Sequence, residues 1–473
     1  MVPCISVDVA IIGAGTAGLF ALREVRRARR TFVLIDHGPL GTTCARVGCM
    51  PSKVALHEAH LWSSRQELKE IGVSGQEDLK IDIRQAWANL RKQRDYFSNG
   101  AAQKARQAAS EHFIDGSARF VEPTVLEVES AAGRKMVIAK SVIIATGSSP
   151  AIPKWLDPVI DRVITTDNLF EMSDLPESIG VLGLGAIGME MGLALSRLGI
   201  KVVGADVALS IAGMSDPVIN ERAISRFGKE IKLWLGNPAS VELTANGVWL
   251  RSGNEQEKVD LLLSSMGRTP NLHNLNLANA GFPLDSRGVP IFDSATLQIG
   301  KFPVFIAGDA NGTRQLMHEA TDEGIIAGLN AVRMESLRFR RKVQLGIAFT
   351  DPDIATVGTR FDQLDQTKIV VGTAEGNANG RARVIGSEES LLRIYADAKH
   401  GRLLGAAMIA AGGEHLAHLL AWSIQRGELA EDLLQMPFYH PVLEEMLKTA
   451  LQDIVRKLPG TRSIPVGLVL ENP

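Results

Sequence analysis

The sequence predicts an α/β protein carrying two copies of one strand–turn–helix–strand unit, followed by a separate α+β region. Three observations carry that prediction. A GxGxxG turn occurs twice, each time between an apolar strand and a helix. Glycine is abundant at 45 residues while aromatics are only 5%, which favours tight strand-to-helix turns over an aromatic binding surface. Beyond Val343 no such turn recurs, although strand-like and helical runs continue. The length of 473 residues agrees with about three domains.

The first unit begins with the apolar run Val7–Ile12 and the turn Gly13-Ala14-Gly15-Thr16-Ala17-Gly18. A helix over Leu19–Arg30 and a second strand, Thr31–Asp36, follow. The second unit repeats the plan as Ile179–Leu182, Gly183-Leu184-Gly185-Ala186-Ile187-Gly188, Met189–Leu198 and Lys201–Asp206, with Gly199 as the helix stop. In each turn the first glycine permits the bend, the second lets backbone approach a pyrophosphate, and the third packs helix on strand. The helix N-terminus then favours the phosphates. Asp36 and Asp206 end the second strands, where a carboxylate can accept hydrogen bonds from a ribose diol. One such turn is weak evidence; two in full register make these Rossmann-like units that bind two dinucleotides.

Between the units, Ile81–Ser110 reads as a long helix with Asp82 and Gln85 resembling a capping box. Ser141–Ala145 is a buried strand ending in Thr146-Gly147-Ser148, and Val304–Ala307 is another ending in Gly308-Asp309. The C-terminal region offers strands at Leu391–Tyr395 and Leu403–Ile409 and helices at His415–Ile424 and Pro441–Lys457. In the last of these, His440 and Pro441 suit an N-cap and first turn. Trp155 and Trp422 are read as core or interface packing.

Composition excludes several classes. A net charge of −2 leaves no basic field to gather nucleic acid or anionic membrane. No apolar run reaches the roughly 18 residues of a membrane helix. Val9–Leu22 follows Asp8 and no Lys or Arg, so it is read as strand and helix, not as a signal peptide, and the chain as cytoplasmic. Three cysteines are too few for a disulfide scaffold, and no second cysteine pair exists to complete a zinc site. No metal is expected.

Cys44 and Cys49 flank Ala45-Arg46-Val47-Gly48, and Met50-Pro51-Ser52-Lys53 looks like a helix start. On an ideal helix five residues rise about 7.5 Å and leave the side chains roughly 140° apart. Bonding them therefore needs irregular backbone, which Gly48 can supply. A close pair beside a nucleotide fold is more often redox-active than structural.

The run Gly41–Lys53 resembles the active-site segment of the flavin-dependent pyridine nucleotide-disulfide oxidoreductases, with the dihydrolipoamide dehydrogenase branch nearest in pattern. The likeness extends to Thr146-Gly147-Ser148, Gly267-Arg268-Thr269-Pro270-Asn271, Gly308-Asp309, Leu316–Ala320 and His440–Glu445. It implies FAD binding through Gly13, Gly15, Gly18, Asp36, Thr42, Thr43, Lys53, Gly116, Thr146, Gly147, Ser148, Asp309, Met317 and His318. It implies NAD(H) binding through the second turn, Gly183, Gly185, Ile187 and Gly188, with Asp206, and places Glu190, Gly267 and Arg268 among the cofactor-binding residues. Cys44 would be the interchange thiol, Cys49 the thiol against the flavin, and Lys53 the partner of Glu190. His440, oriented by Glu445, would be the general base, contributed across a two-fold interface in a homodimer with a shared active site. Implied domains are FAD-binding (1–148), NAD-binding (149–270), a central part completing the FAD site (271–342) and a C-terminal dimerisation domain (343–473). The implied reaction oxidises a small dithiol or reduces its disulfide; the lipoyl domains of a 2-oxo acid dehydrogenase complex are candidate partners. A glutathione-type reductase and a structural subunit of a large complex are the alternatives. Phe438, Val442 and Glu444 depart from the branch pattern around the base.

Overall fold

A computed structural model describes residues 3–460 and 464–471. Its first sheet has a parallel core in the spatial order Phe113–Glu122, Phe32–Asp36, Cys4–Ile12, Gly133–Ile144, Val304–Ile306. The strand Val125–Ser130 pairs antiparallel with both Phe113–Glu122 and Gly133–Ile144. Val9–Ile12 is buried throughout, as expected for a parallel strand covered on both faces. Helix Thr16–Arg27 covers this sheet together with helix Met317–Ala331, and Gly324 and Gly328 let the latter approach the backbone of Ala17 and Ala21. The strand Val304–Ile306 and helix Met317–Ala331, distant in sequence, thus complete the first unit.

The second sheet is parallel, in the order Lys232–Leu235, Lys201–Asp206, Ser178–Leu182, Leu261–Ser264, Val163–Ile164. A three-stranded antiparallel sheet, Ala239–Thr244, Gly247–Ser252 and Glu255–Val259, packs beside it. The C-terminal sheet is antiparallel in the order Leu345–Ala348, Asp353–Gly358, Leu403–Ala410, Leu391–Asp397, Ile369–Glu375. Helices Gly413–Arg426 and Glu445–Lys457 bury their apolar stripes against it, so this domain has its own core.

The long helix spans Ile83–Ala109, with the Asp82 carboxylate accepting from Gln85 N–H at 3.0 Å. Both nucleotide-unit helices begin one residue after the second glycine, at Thr16 and Ala186, earlier than hydrophobic periodicity suggests. The last helix corrects the sequence reading: it starts at Glu445, not at Pro441, with a cis peptide between His440 and Pro441. A residue before proline disfavours the α region, so His440 belongs to an irregular lead-in. No helix among the described residues is long and apolar enough to cross a membrane.

Candidate active site

The two glycine turns are built alike. Gly13 and Gly183 have φ of +108° and +89°, a conformation that disfavours a side chain. A Cβ at Gly183 would also fall 2.7 Å from the Ser265 carbonyl oxygen. Gly18 and Gly188 lie against the carbonyls of Gly13 and Gly183, where any Cβ would collide with backbone. At Gly15 and Gly185 the equivalent space is open. Close packing at the first and third glycines therefore leaves the second facing room for a ligand at the helix N-terminus.

The strand-end acids brace these turns. Asp36 accepts from Ala14 N–H and Gly38 N–H, both at 2.6 Å. Asp206 accepts from Leu184 N–H at 2.6 Å and Ala208 N–H at 2.9 Å. Each carboxylate oxygen keeps a further lone pair for a ribose hydroxyl. Lys201 lies at the far end of the Asp206 strand and is paired with Glu257.

A cavity of about 500 Å³ runs between the turns, from Gly15 and Thr16 to Gly185 and Ile187. Thr43, Cys44, Cys49, Lys53, Gly147, Glu190, Gly267, Arg268, Asp309 and Met317 line it. Thr42 enters the short helix Thr43–Val47 at φ 60° and caps it by accepting from Ala45 N–H at 3.2 Å. At Gly48 (φ −131°, ψ −115°) the helix breaks, and Cys49–Ser63 starts a new one. That break sets Cys44 and Cys49 side by side in the cavity, where each thiol perturbs the other. Cys44 keeps its proton: the Cys49 sulfur, then burial, push its pKa up. Cys49 is lowered to about 7 by the Cys44 thiol and by the Lys53 ammonium, against the desolvation of the cavity mouth.

Lys53 Nζ lies 2.7 and 2.9 Å from the Glu190 carboxylate oxygens, joining the redox helix to the second unit. Phe349, which the sequence does not single out, completes this contact. Its N–H donates to Glu190 Oε1 at 3.0 Å and its ring lies 4.5 Å from the ammonium. Across the cavity Ser148 Oγ donates to Asp309 Oδ2 at 2.7 Å, while Arg268 Nε donates to Ser148 Oγ at 2.7 Å. Thr146 Oγ1 is buried without a partner. The open faces of Gly15 and Gly147, this orphaned hydroxyl and the helix N-terminus fit an elongated, polyoxygenated dinucleotide. Gly116 lies outside the cavity lining, next to the Asp36–Asp115 register pair. His318 is exposed at the start of the helix that contributes Met317.

A second cavity of about 450 Å³ lies at the Asp206 end, lined by Gly183, Gly185, Asp206, Val207, Ala239 and Trp155. Trp155 is thus not buried in the core of its own chain. Trp422 is exposed as well, at 63%. Sequence reasoning also missed Ser265, which donates to the Gly183 carbonyl at 2.7 Å; its place two residues before Gly267 was the available sign.

His440 does not line the cavity holding the cysteines of its own chain. Its side chain is 78% exposed and its Nδ1 lies 3.0 Å from Glu445 Oε2, which also accepts from Val442 N–H at 3.3 Å. A carboxylate facing Nδ1 fixes the proton there and leaves Nε2 as the outward basic nitrogen. Burial raises the Glu445 carboxyl, but the His440 ring and the Val442 N–H outweigh it and hold the group below its ordinary range.

Residues 7–324 match the family "Pyridine nucleotide-disulphide oxidoreductase" and residues 345–451 match its dimerisation domain. The chain is 28% identical to the mitochondrial dihydrolipoyl dehydrogenase of Pisum sativum over 460 residues, 94% of this chain and 90% of that protein. Leghemoglobin reductase of Glycine max is 28% identical over 94% of this chain and 86% of its own length. Dihydrolipoyl dehydrogenase of Bacillus subtilis is 27% identical over 94% of this chain and 98% of its own. Among solved structures, the Cu(II) complex of the HOCl-induced flavoprotein disulfide reductase RclA from Escherichia coli superposes with a TM-score of 0.82 at 23% identity. It covers 94% of this chain and 99% of its own, a likeness of fold. With two nucleotide turns converging on a dithiol and both domain types matched, the chain belongs to the pyridine nucleotide-disulphide oxidoreductases and is a flavin- and pyridine nucleotide-dependent oxidoreductase.

Proposed function

We infer that the protein interconverts dihydrolipoamide and lipoamide with NAD(H), using FAD and the Cys44–Cys49 pair, as a homodimer. The observation that carries this is the dithiol set between the two nucleotide turns, with Lys53 and Glu190 beside it. In the oxidative direction the His440 Nε2 of one subunit takes a proton from a substrate thiol bound at the other subunit's Cys44. The substrate thiolate then attacks the Cys44 sulfur of the disulfide, forming a mixed disulfide and releasing the Cys49 thiolate. Protonated His440 then gives its proton to the departing Cys44 sulfur and takes the proton of the second substrate thiol as that thiol displaces Cys44, leaving oxidised substrate and a Cys44 thiol beside the Cys49 thiolate. Lys53 favours the anionic form of Cys49 throughout. When bound, the flavin and the nicotinamide supply the two-electron acceptor chain that returns the pair to the disulfide.

NAD(H) is preferred over NADP(H) because Asp206 presents a carboxylate at the ribose end and no Lys or Arg lines that cavity. A 2′-phosphate there would meet like charge without a cation. Lipoyl domains of a 2-oxo acid dehydrogenase complex are the proposed macromolecular partners. The test compares NADH-dependent reduction of lipoamide, glutathione disulfide and other small disulfides. Lipoamide should give the highest kcat/KM; a higher value with glutathione disulfide would move the protein to the glutathione-type reading.

A further inference from the structure

Of the six tryptophans, five are buried or have a ring or guanidinium partner within the chain. Trp87 and Trp234 are buried, and Trp87 donates from Nε1 to the Leu169 carbonyl at 3.2 Å. Trp62 and Trp249 lie beneath the guanidinium groups of Arg65 and Arg251, and Trp422 meets the His418 ring edge-on. Trp155 differs. It is 41% exposed, and among the described residues its indole N–H has no acceptor and its ring no aromatic or cationic partner.

Its neighbours show that this position is built. Leu156 and Val159, in the same turn, are buried in the core beneath the second nucleotide unit with Leu182 and Ala205. The segment is therefore anchored while the indole faces the cavity that holds Asp206. Val207, the residue after that acid, lines the same cavity and is also exposed, at 68%. Two exposed apolar groups thus border a cleft whose other end is the glycine turn and whose one charged group is the Asp206 carboxylate. Leaving a large apolar ring open to water is unfavourable; a flat, weakly polar heterocycle would cover it.

Resting on the reading that this unit holds a pyridine dinucleotide, we propose that Trp155 stacks on the adenine of the coenzyme, opposite Val207. The adenosine half then supplies affinity through base stacking, and the Asp206–ribose contact fixes its register. Every base offers a π-face, so the contact is tolerant of base identity but needs a base to be present.

The experiment measures binding of ADP-ribose, which lacks the reacting ring, to the holoenzyme by titration calorimetry, for wild type, Trp155→Ala and Trp155→Phe. Turnover with NADH is measured beside turnover with reduced nicotinamide mononucleotide, which lacks the adenosine. Trp155→Ala should weaken ADP-ribose binding about tenfold, the range of one base–aromatic stack, while Trp155→Phe stays close to wild type. Trp155→Ala should raise the KM for NADH by a similar factor and leave mononucleotide turnover unchanged. Wild-type affinity for ADP-ribose in Trp155→Ala would overturn the stacking assignment, as would an equal loss with the mononucleotide. Absence of ADP-ribose binding to the wild-type holoenzyme would instead overturn the coenzyme reading itself.

Discussion

The two thiols divide their protons unequally. Cys44 and Cys49 perturb each other, so the first is hard to ionise and the second ionises near neutrality, at about 7. Because the lowered group is an acid, its anion is present above that pH and is lost as pH falls through it. Removing the Cys44 thiol should reverse this: in reduced Cys44→Ala, the ultraviolet thiolate absorbance of Cys49 should titrate at higher pH than in reduced wild type. An unchanged titration would show that the Cys44 thiol does not set Cys49. The same variant should lose disulfide turnover by roughly four orders of magnitude or more, as when other nucleophiles are deleted, yet keep its flavin. Asp206 makes a second prediction at this scale. Asp206→Asn should shift the NADH-to-NADPH ratio of kcat/KM about tenfold toward NADPH, by removing like-charge repulsion. Equal ratios in both proteins would take Asp206 out of the ribose contact.

At the scale of elements, the glycine turns separate folding from binding. Gly188 packs on the Gly183 carbonyl, so Gly188→Ala forces the second helix off its strand and should destabilise the protein by roughly 1 to 3 kcal/mol, read as a lowered Tm. At Gly185 no other part of the chain comes within 4 Å of where a Cβ would stand, so Gly185→Ala should keep its Tm and instead raise the KM for NADH. A Tm loss in Gly185→Ala equal to that in Gly188→Ala would contradict the division of roles. These turns were legible because each role imposes a glycine at fixed spacing. The break at Gly48 was legible for the same reason: two cysteines five apart cannot meet on an unbroken helix. The lead-in to the last helix was not, since Pro441 fits a first helical turn as well as a cis peptide, and only packing distinguishes them. Phe349 could not be found either, because it reaches the Lys53–Glu190 pair from the C-terminal domain through its backbone N–H, which any non-proline residue offers.

At the scale of the whole molecule, the proposed base and the dithiol stand apart within one chain. The dithiol lies between the first two units, whereas His440 and Glu445 stand on the domain matched as the dimerisation domain, with the imidazole exposed. If the base serves the other subunit, mixing inactive Cys44→Ser with inactive His440→Gln chains should restore activity, because each mixed dimer holds one intact site. At complete random exchange about half the dimers are mixed with one of two sites competent, so recovery should approach about a quarter of the wild-type rate. No recovery after verified exchange would place the base within its own chain. The sequence made the three-part plan readable through repeated motifs. Strand pattern did not say how Val304–Ile306 and Met317–Ala331 return to the first sheet, because a three-residue strand carries too little pattern to name its partner; only the family resemblance assigned 271–342 to that unit. In the proposed reaction, coenzyme reduces one disulfide, Cys44–Cys49, and no other sulfur. Of the three cysteines, the oxidised enzyme should then show one titratable thiol after anaerobic denaturation, Cys4, and three after prior reduction with excess NADH. A thiol count that NADH leaves unchanged would contradict it.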